Sequence, residues 1–385
     1  MSKQVLVLGA GYAGLTVAIR LARAGHRVNL LNRTPHFLDL IRLNKTIHTP
    51  LAKFQKPLAD LARQFDFRAT TASVDLAGFD PVATSRAGRL ETDAGDFEFD
   101  ALVMCTGSVG IPRLDAAVDP ALLGSRVLTL NTLREQDGNA AVLRFLKEAP
   151  ENPGVVFVGG GATALQFLFE FKDFMQGVRR SCRIALIDME ARPLARFPER
   201  FSEYADERIT ARGIDYRPAT KFLGQQGDTV SCETIGGEAF TMDSSLTFLF
   251  PGVQATPALA TDEFGRVQVD GQVLTNVYSA GDCSDFAGGG LNSLTAQAAV
   301  RKARRVAVNI DNEAAGRPLE AYTYKELGYF VSLGFWDGVG YVLADDKVAT
   351  GVPAFAIKEA IEQQFALFAK GFDTYSIVEG IPGLG

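Results

Sequence analysis

Apolar positions along the chain alternate between short unbroken runs and helical spacing, in an order that occurs twice. Val5–Leu8 is an unbroken run of the kind found in strands covered on both faces. After a glycine cluster, Leu15, Ala18, Ile19 and Ala22 recur at helical spacing with Arg20 and Arg23 facing away, and Gly25 ends the helix. Val28–Leu31 supplies the next strand. The order returns as Val155–Val158, a second glycine cluster, a helix from Leu165 to about Gln176, and the strand Ile184–Ile187. Between these units, Phe65–Asp80 and Arg89–Phe99 read as β segments, Asp100–Ser108 as a buried strand, and Pro112–Pro120 as a crossing linker. Beyond the second unit, Thr229–Met242 alternates like hairpin strands, and Ser245–Phe250 runs into Pro251-Gly252. Thr275–Asp282 is a strand ending in Gly-Asp, followed by a helix from about Asn292 to Ile310. The tail adds strands at Tyr329–Leu333 and Val339–Leu343 and a helix near Ala354–Lys370.

The glycine clusters carry chemistry. Gly9-Ala10-Gly11-Tyr12-Ala13-Gly14 is G-x-G-x-x-G placed between a strand and a helix. Gly9 allows the tight turn, Gly11 lets a pyrophosphate approach the backbone, and Gly14 lets helix and strand pack closely. Gly159-Gly160-Gly161-Ala162-Thr163-Ala164 is the accepted variant G-x-G-x-x-A in the same context. Two such units point to two bound dinucleotides; a duplication with one dead site is the alternative. Asp188 ends the second strand of the second unit, where an acid accepts a ribose 2′-hydroxyl and repels a 2′-phosphate. NADH is therefore favoured there, and the nearby Arg192 keeps NADPH open.

Composition narrows the class. The 385 residues carry a net charge of −6, against a nucleic-acid partner. Apolar runs such as Leu246–Phe250 are far shorter than the roughly 18 residues of a membrane span. The N-terminus shows no signal-peptide order, and Cys105, Cys182, Cys232 and Cys283 form no C-x-x-C pair. A dithiol redox centre and a metal site are unsupported, and a reducing cytoplasm is expected.

With four motifs in hand (Gly9–Gly14, Cys105-Thr106-Gly107, Gly159–Ala164 and Gly281-Asp282), the chain resembles the two-dinucleotide-binding flavoprotein superfamily. The type II NADH:quinone oxidoreductase branch is the more similar one, because residues 41–50 lack the redox cysteine pair of the disulfide reductases. The resemblance implies an α/β fold of two Rossmann-like domains, with the NAD domain inserted in the FAD domain and a small α+β C-terminal region. The expected boundaries are 1–115 and 246–320 for FAD, 116–245 for NAD(P)H, and 321–385 for an interface or membrane-docking region. It further implies FAD held by Gly9, Gly11, Tyr12, Ala13, Gly14, Asn32, Arg33, Thr106, Gly107, Gly281 and Asp282. NADH would be held by Gly159, Gly161, Ala162, Thr163, Ala164, Asp188 and Gly252. Hydride would pass from NADH to flavin N5, and electrons onward to a quinone or similar small acceptor.

Two departures from the family pattern stand out. Gln166 occupies the place of a glutamate, while Glu170 is kept. The quinone-site pattern A-Q-x-A-x-Q ends in Arg301 rather than glutamine, with Gln297 retained. Gln166, Gln297 and His48 are the candidate catalytic residues. The departures leave two other readings: a soluble NAD(P)H reductase serving an electron-carrier protein, a dye or oxygen, and a non-catalytic flavin-binding redox sensor. His26 reads as plain surface, Cys283 and Cys105 as small buried residues, and the run Arg301-Lys302-Ala303-Arg304-Arg305 as a solvated helix face. In the C-terminal helix, Ile357, Ile361, Phe365 and Phe368 form one stripe with Lys358, Glu359 and Glu362 off it. That stripe serves core packing, a homodimer contact, or a peripheral seat on the inner face of the membrane.

Overall fold

The computed structural model describes residues 1–342 and 346–379. Leu343, the last residue of one expected strand, and the end of the expected C-terminal region lie outside them. Two parallel sheets form the frame. The larger has eight strands, and its parallel part runs Gln272–Ser279, Ala101–Met104, Gln4–Leu8, Arg27–Asn32, Arg68–Thr71 in spatial order. Gln4–Leu8 sits centrally, pairing in parallel with Arg27–Asn32 on one side and Ala101–Met104 on the other. Val5, Leu6 and Val7 are buried on both faces, which is why this strand reads as a continuous apolar run.

The smaller sheet repeats the plan with five parallel strands. Its order is Val127–Thr129, Leu246–Leu249, Gly154–Val158, Arg183–Ile187, Asp215–Arg217. The two segments that connect the sheets lie side by side, Ser108–Gly110 pairing antiparallel with Val253–Ala255. Entry to and exit from the second unit are thus tied together. A three-stranded antiparallel sheet, Thr220–Gln226, Thr229–Thr234 and Ala239–Asp243, packs on the second unit. The tail builds a second antiparallel sheet from Gly328–Ser332, Gly338–Val342 and Val348–Thr350, followed by the helix Val352–Phe368.

Several expectations are corrected. Phe65 ends a helix, Leu58–Phe65, so the strand in that region is confined to Arg68–Thr71. The linker after Gly110 contains a short helix, Pro112–Asp115. The long helix near residue 300 begins only at Ala296, where Thr295 Oγ1 caps it by accepting from the Ala298 N–H at 3.1 Å. Its basic run is not solvated. Lys302 is 1 % exposed and donates to the Ser284 carbonyl at 2.7 Å, and Arg304 is buried against Asp373. His26 is buried too, accepting from the Lys3 N–H at Nδ1 and facing Asp311 at Nε2. Arg20 and Arg23 do face away from the sheet, but they hold the C-terminal segment: Arg20 bonds Asp373 and Arg23 donates to the Gly371 carbonyl. In the C-terminal helix the buried face is Ala354, Lys358, Glu362, Phe365 and Phe368, so two charges replace two of the expected isoleucines.

Candidate active site

One cavity of about 850 Å³ runs from the first glycine loop to the C-terminal helix. It is lined by Gly9–Ala13, by Thr163 and Gln166 from the second glycine-loop helix, and by Ile357, Ile361 and Phe365 from the C-terminal helix. The first loop is built for its turn. Gly9 has φ +99°, and a Cβ there would lie 2.4 Å from the Cys105 carbonyl oxygen. A Cβ on Gly14 would lie 1.8 Å from the Gly9 carbonyl oxygen. At Gly11 a Cβ would meet nothing within 4 Å, so this residue turns open backbone towards the cavity. Asn32 fixes the loop by accepting the Ala10 N–H at 3.0 Å while its amide donates to the Thr34 carbonyl. The loop's Tyr12 donates to Asp39 at 2.6 Å, accepts the Ile41 N–H, and meets Phe365 edge-on.

The other predicted residues of the first unit converge here. Arg33, Thr106, Gly107, Gly281 and Asp282 all line the same cavity. Asp282 accepts a hydrogen bond from Ser108 Oγ at 2.7 Å. Burial pushes its carboxyl up, against that hydrogen bond and the nearby charges of Lys302 and Arg134. Arg134 was not expected from the sequence. Its Nη1 donates to the Ser108 carbonyl at 2.6 Å, whereas its buried Nε has no partner among the described residues. A half-buried cation in the cavity wall, with its Nε donor unused, fits the phosphate or carbonyl oxygens of a bound flavin nucleotide. The open cradle at Gly11 fits the same group.

The second loop stands beside the cavity, and of its residues Thr163 is the one that reaches the wall. Gly159 repeats Gly9: φ is +102° and a Cβ would lie 2.4 Å from the Phe250 carbonyl oxygen. Gly161, like Gly11, has nothing within 4 Å of a Cβ. Ala162 and Ala164 open the helix Ala162–Gly177, with Ala164 in the core. Gly252, at φ +113°, follows the strand that neighbours the loop. Asp188 is buried against Gly160, and burial pushes its carboxyl up while the Glu190 and Gly160 N–H groups hold it down. Arg192 is engaged in its own loop, bonding Ser202 and the carbonyls of Ala195 and Phe197.

The three catalytic candidates separate. Gln166 lines the cavity and accepts from Ser332 Oγ at 3.3 Å. Gln297 also lines it, accepting from Arg301 Nη1 at 2.7 Å and donating to Gln364. His48 is absent from the described lining; its Nε2 lies 2.7 Å from Glu170 Oε1, on the flank of the second glycine-loop helix. The wall also holds charged groups that the sequence pattern gave no reason to place inside. Lys358 Nζ lies 2.5 Å from Glu362 Oε1, and both are about 5 % exposed or less. Glu326 accepts from Tyr324 and Ser293. Among the described residues no cluster of His, Cys, Asp and Glu could hold a metal ion.

Two glycine-loop units flanking one cavity, with Cys105 the one cysteine among its described lining residues, have the layout of a two-dinucleotide flavoprotein oxidoreductase. Residues 3–303 match the family described as pyridine nucleotide-disulphide oxidoreductase, and the chain belongs to that family. It is 28 % identical over 400 aligned positions to the type II NADH:quinone oxidoreductase of Staphylococcus aureus, covering 96 % of both chains. Its fold is similar to that of NDH2 from Plasmodium falciparum in complex with NADH, with a TM-score of 0.78, 12 % identity, and 100 % and 99 % of the two chains covered. The sulfide:quinone oxidoreductase from Aquifex aeolicus matches with a TM-score of 0.76 and 17 % identity, covering 100 % of this chain and 96 % of that one. The chain is an FAD-dependent NADH oxidoreductase of this family.

Proposed function

We propose that this chain oxidises NADH and delivers the electrons to a membrane quinone. The single observation that carries the reading is the continuous cavity. It joins backbone open at Gly11, the second-unit helix at Thr163 and Gln166, and apolar lining at Val342, Ile357 and Ile361, the first two of them exposed. The first unit would hold FAD through its open loop, Asp282 and Arg134. The second would hold NADH, with Asp188 receiving the ribose hydroxyl. Arg192, spent on Ser202 and two carbonyls, supports NADH over NADPH. The division expected from the sequence, with residues 116–245 inserted as the nicotinamide unit, is part of this proposal. When bound, the flavin supplies the conversion of a hydride into electrons that a second substrate can take. The chain's own part is to orient the rings, exclude water and handle protons.

Quinones of this kind live in lipid, and the tail carries exposed apolar surface at the hairpin end away from the cavity-lining Gly328 and Val342. Phe335 and Trp336 are 66 % and 59 % exposed at the turn between two tail strands, with Phe355 packed beside Trp336. Val342 and Ile357, which line the cavity, and Val352 are exposed as well. Such a patch favours a peripheral position on a membrane surface. No helix among the described residues is long and apolar enough to cross a membrane. Flotation of the flavin-loaded protein with anionic vesicles tests this. Binding that weakens in Phe335→Ser/Trp336→Ser supports the reading, and binding unchanged by that double substitution removes its docking surface.

A further inference from the structure

Quinone reduction takes up a proton that NADH does not carry: NADH + H⁺ + quinone gives NAD⁺ + hydroquinone. Position 166, in the cavity wall, is an amide and cannot donate an ionisable proton. The acids that line the cavity are Asp75, Asp282, Glu326 and Glu362. Asp75 is exposed on a loop and accepts the Ala77 N–H. Asp282 is tied to Ser108 at the strand ends of the first unit. Glu362 is clasped by Lys358 at 2.5 Å and Lys45 at 3.4 Å, so its charge is spoken for.

Glu326 differs from all three. Its oxygens take two hydroxyl hydrogen bonds, from Tyr324 at 3.0 Å and Ser293 at 3.2 Å, and it makes no ion pair among the described residues. Ser293 Oγ lies 3.2 Å from Thr295 Oγ1, and Thr295 caps the helix whose first turn forms the cavity wall. The groups that face Glu326 are Arg301 from that helix and Tyr322, Tyr324 and Tyr329 from the tail. Arg301 is drawn aside, lying over the Tyr324 ring at 4.7 Å and bonding Gln297. The arrangement is a carboxyl in the cavity wall joined through the Ser293 hydroxyl to that of Thr295, which also lines the cavity.

We propose that Glu326 is the proton donor for the acceptor in this chain, passing its proton along Ser293 and Thr295 to the quinone oxygen. This rests on the quinone reading above. The carboxyl O–H bond breaks and one O–H bond forms on the acceptor; NADH supplies the electron pair and the hydrogen of the second O–H, and solvent returns a proton to the carboxylate. Burial pushes the Glu326 carboxyl up, against the Tyr324 and Ser293 hydrogen bonds and the Arg301 charge, so it holds a proton at higher pH than an exposed glutamate.

The test uses the full-length, flavin-loaded protein with Glu326→Gln, Glu326→Asp and Ser293→Ala. Infrared difference spectra should show a carboxyl band in the unsubstituted protein that titrates above the usual range, and Glu326→Gln should lack it. The ratio of turnover with a short-chain benzoquinone to turnover with ferricyanide, which takes no proton, should fall by about 10- to 100-fold in Glu326→Gln. Glu326→Asp should recover most of it. In the unsubstituted protein quinone turnover should fall as pH rises through the pKa of the band, and Glu326→Gln should lose that limb. If Glu326→Gln loses its flavin, Ser293→Ala decides: the band should stay and the ratio fall severalfold. A ratio within twofold in the substituted proteins, or a pH limb that survives, overturns the assignment while leaving the quinone reading intact. Ferricyanide turnover with no quinone turnover in the unsubstituted protein overturns the quinone reading, and this assignment with it.

Discussion

The carboxylate of Asp188 lies directly over Gly160, so closely that a Cβ on Gly160 would stand 2.0 Å from Asp188 Oδ2. The glycine between the two loop glycines thus makes room for the acid, which in the proposed function receives the nucleotide ribose. Asp188→Ser removes that acid without filling the space. The ratio of kcat/KM for NADH over NADPH should fall by at least about tenfold, or ~1.4 kcal/mol. An unchanged ratio counts against the assignment.

The loop glycines divide into two kinds, and substitution should tell them apart. Gly9→Ala drives a Cβ into the Cys105 carbonyl at a left-handed φ, so it should cost more than about 2 kcal/mol. Gly11→Ala meets no protein atom, so its apoprotein should melt within about 1 kcal/mol of the parent. It should nonetheless bind flavin more weakly, because the methyl group occupies the cradle. Thermal melting and flavin titration of both apoproteins measure this. Equal melting losses contradict it.

The Lys358–Glu362 pair should behave as a buried ion pair. Lys358→Met leaves Glu362 with only Lys45 and the more distant Arg42, at 3.4 and 3.9 Å, and should cost about 3 kcal/mol. Lys358→Met/Glu362→Met should recover most of that loss, since Lys45 keeps Glu359 at 2.8 Å. Chemical denaturation of the two single variants and the double variant gives the coupling. Additive losses would show that the pair is not coupled.

Asp373 ties the C-terminal segment to two helices, taking Arg304 on both oxygens and Arg20 on one. Burial alone would raise its carboxyl, but the bonds from Arg304 and Ser376 and the Arg20 charge hold it below the usual range. A depressed carboxyl stabilises the fold above the unfolded-state pKa, and that contribution is lost as pH falls through the folded value. The melting-temperature advantage over Asp373→Asn should therefore be full at pH 7 and shrink below about pH 4. An advantage independent of pH contradicts the role.

The sequence was legible where covalent geometry leaves one choice. A positive φ beside a carbonyl forces glycine, so Gly9 and Gly159 announced their turns, and strands covered on both faces announced themselves as Val5–Leu8 and Val155–Val158. It was illegible where burial is settled by partners far along the chain. Lys302 reads as a solvated position on any helical wheel, yet the Ser284 carbonyl receives it. Arg304 is held by Asp373, His26 by Asp311 and Lys358 by Glu362, and three of these four partners come from distant segments. The i, i+4 spacing of Lys358 and Glu362 was the one local signal, but it equally describes an exposed pair. Arg134 and Glu326 carried no motif. Only the packing of two sheets and a tail around one cavity brings them to the site.

The most direct test of the central claim is anaerobic stopped-flow mixing of the purified yellow protein, first with NADH and then with a short-chain quinone. The account predicts that NADH bleaches the yellow flavin absorbance within about a second, at the median enzyme rate of about 10 s⁻¹ or faster. Added quinone should then restore it on the same timescale. A flavin that NADH does not bleach would contradict the claim that one cavity serves both dinucleotides. A flavin that NADH bleaches, but that ferricyanide reoxidises and quinone does not, would keep the oxidoreductase and remove the quinone.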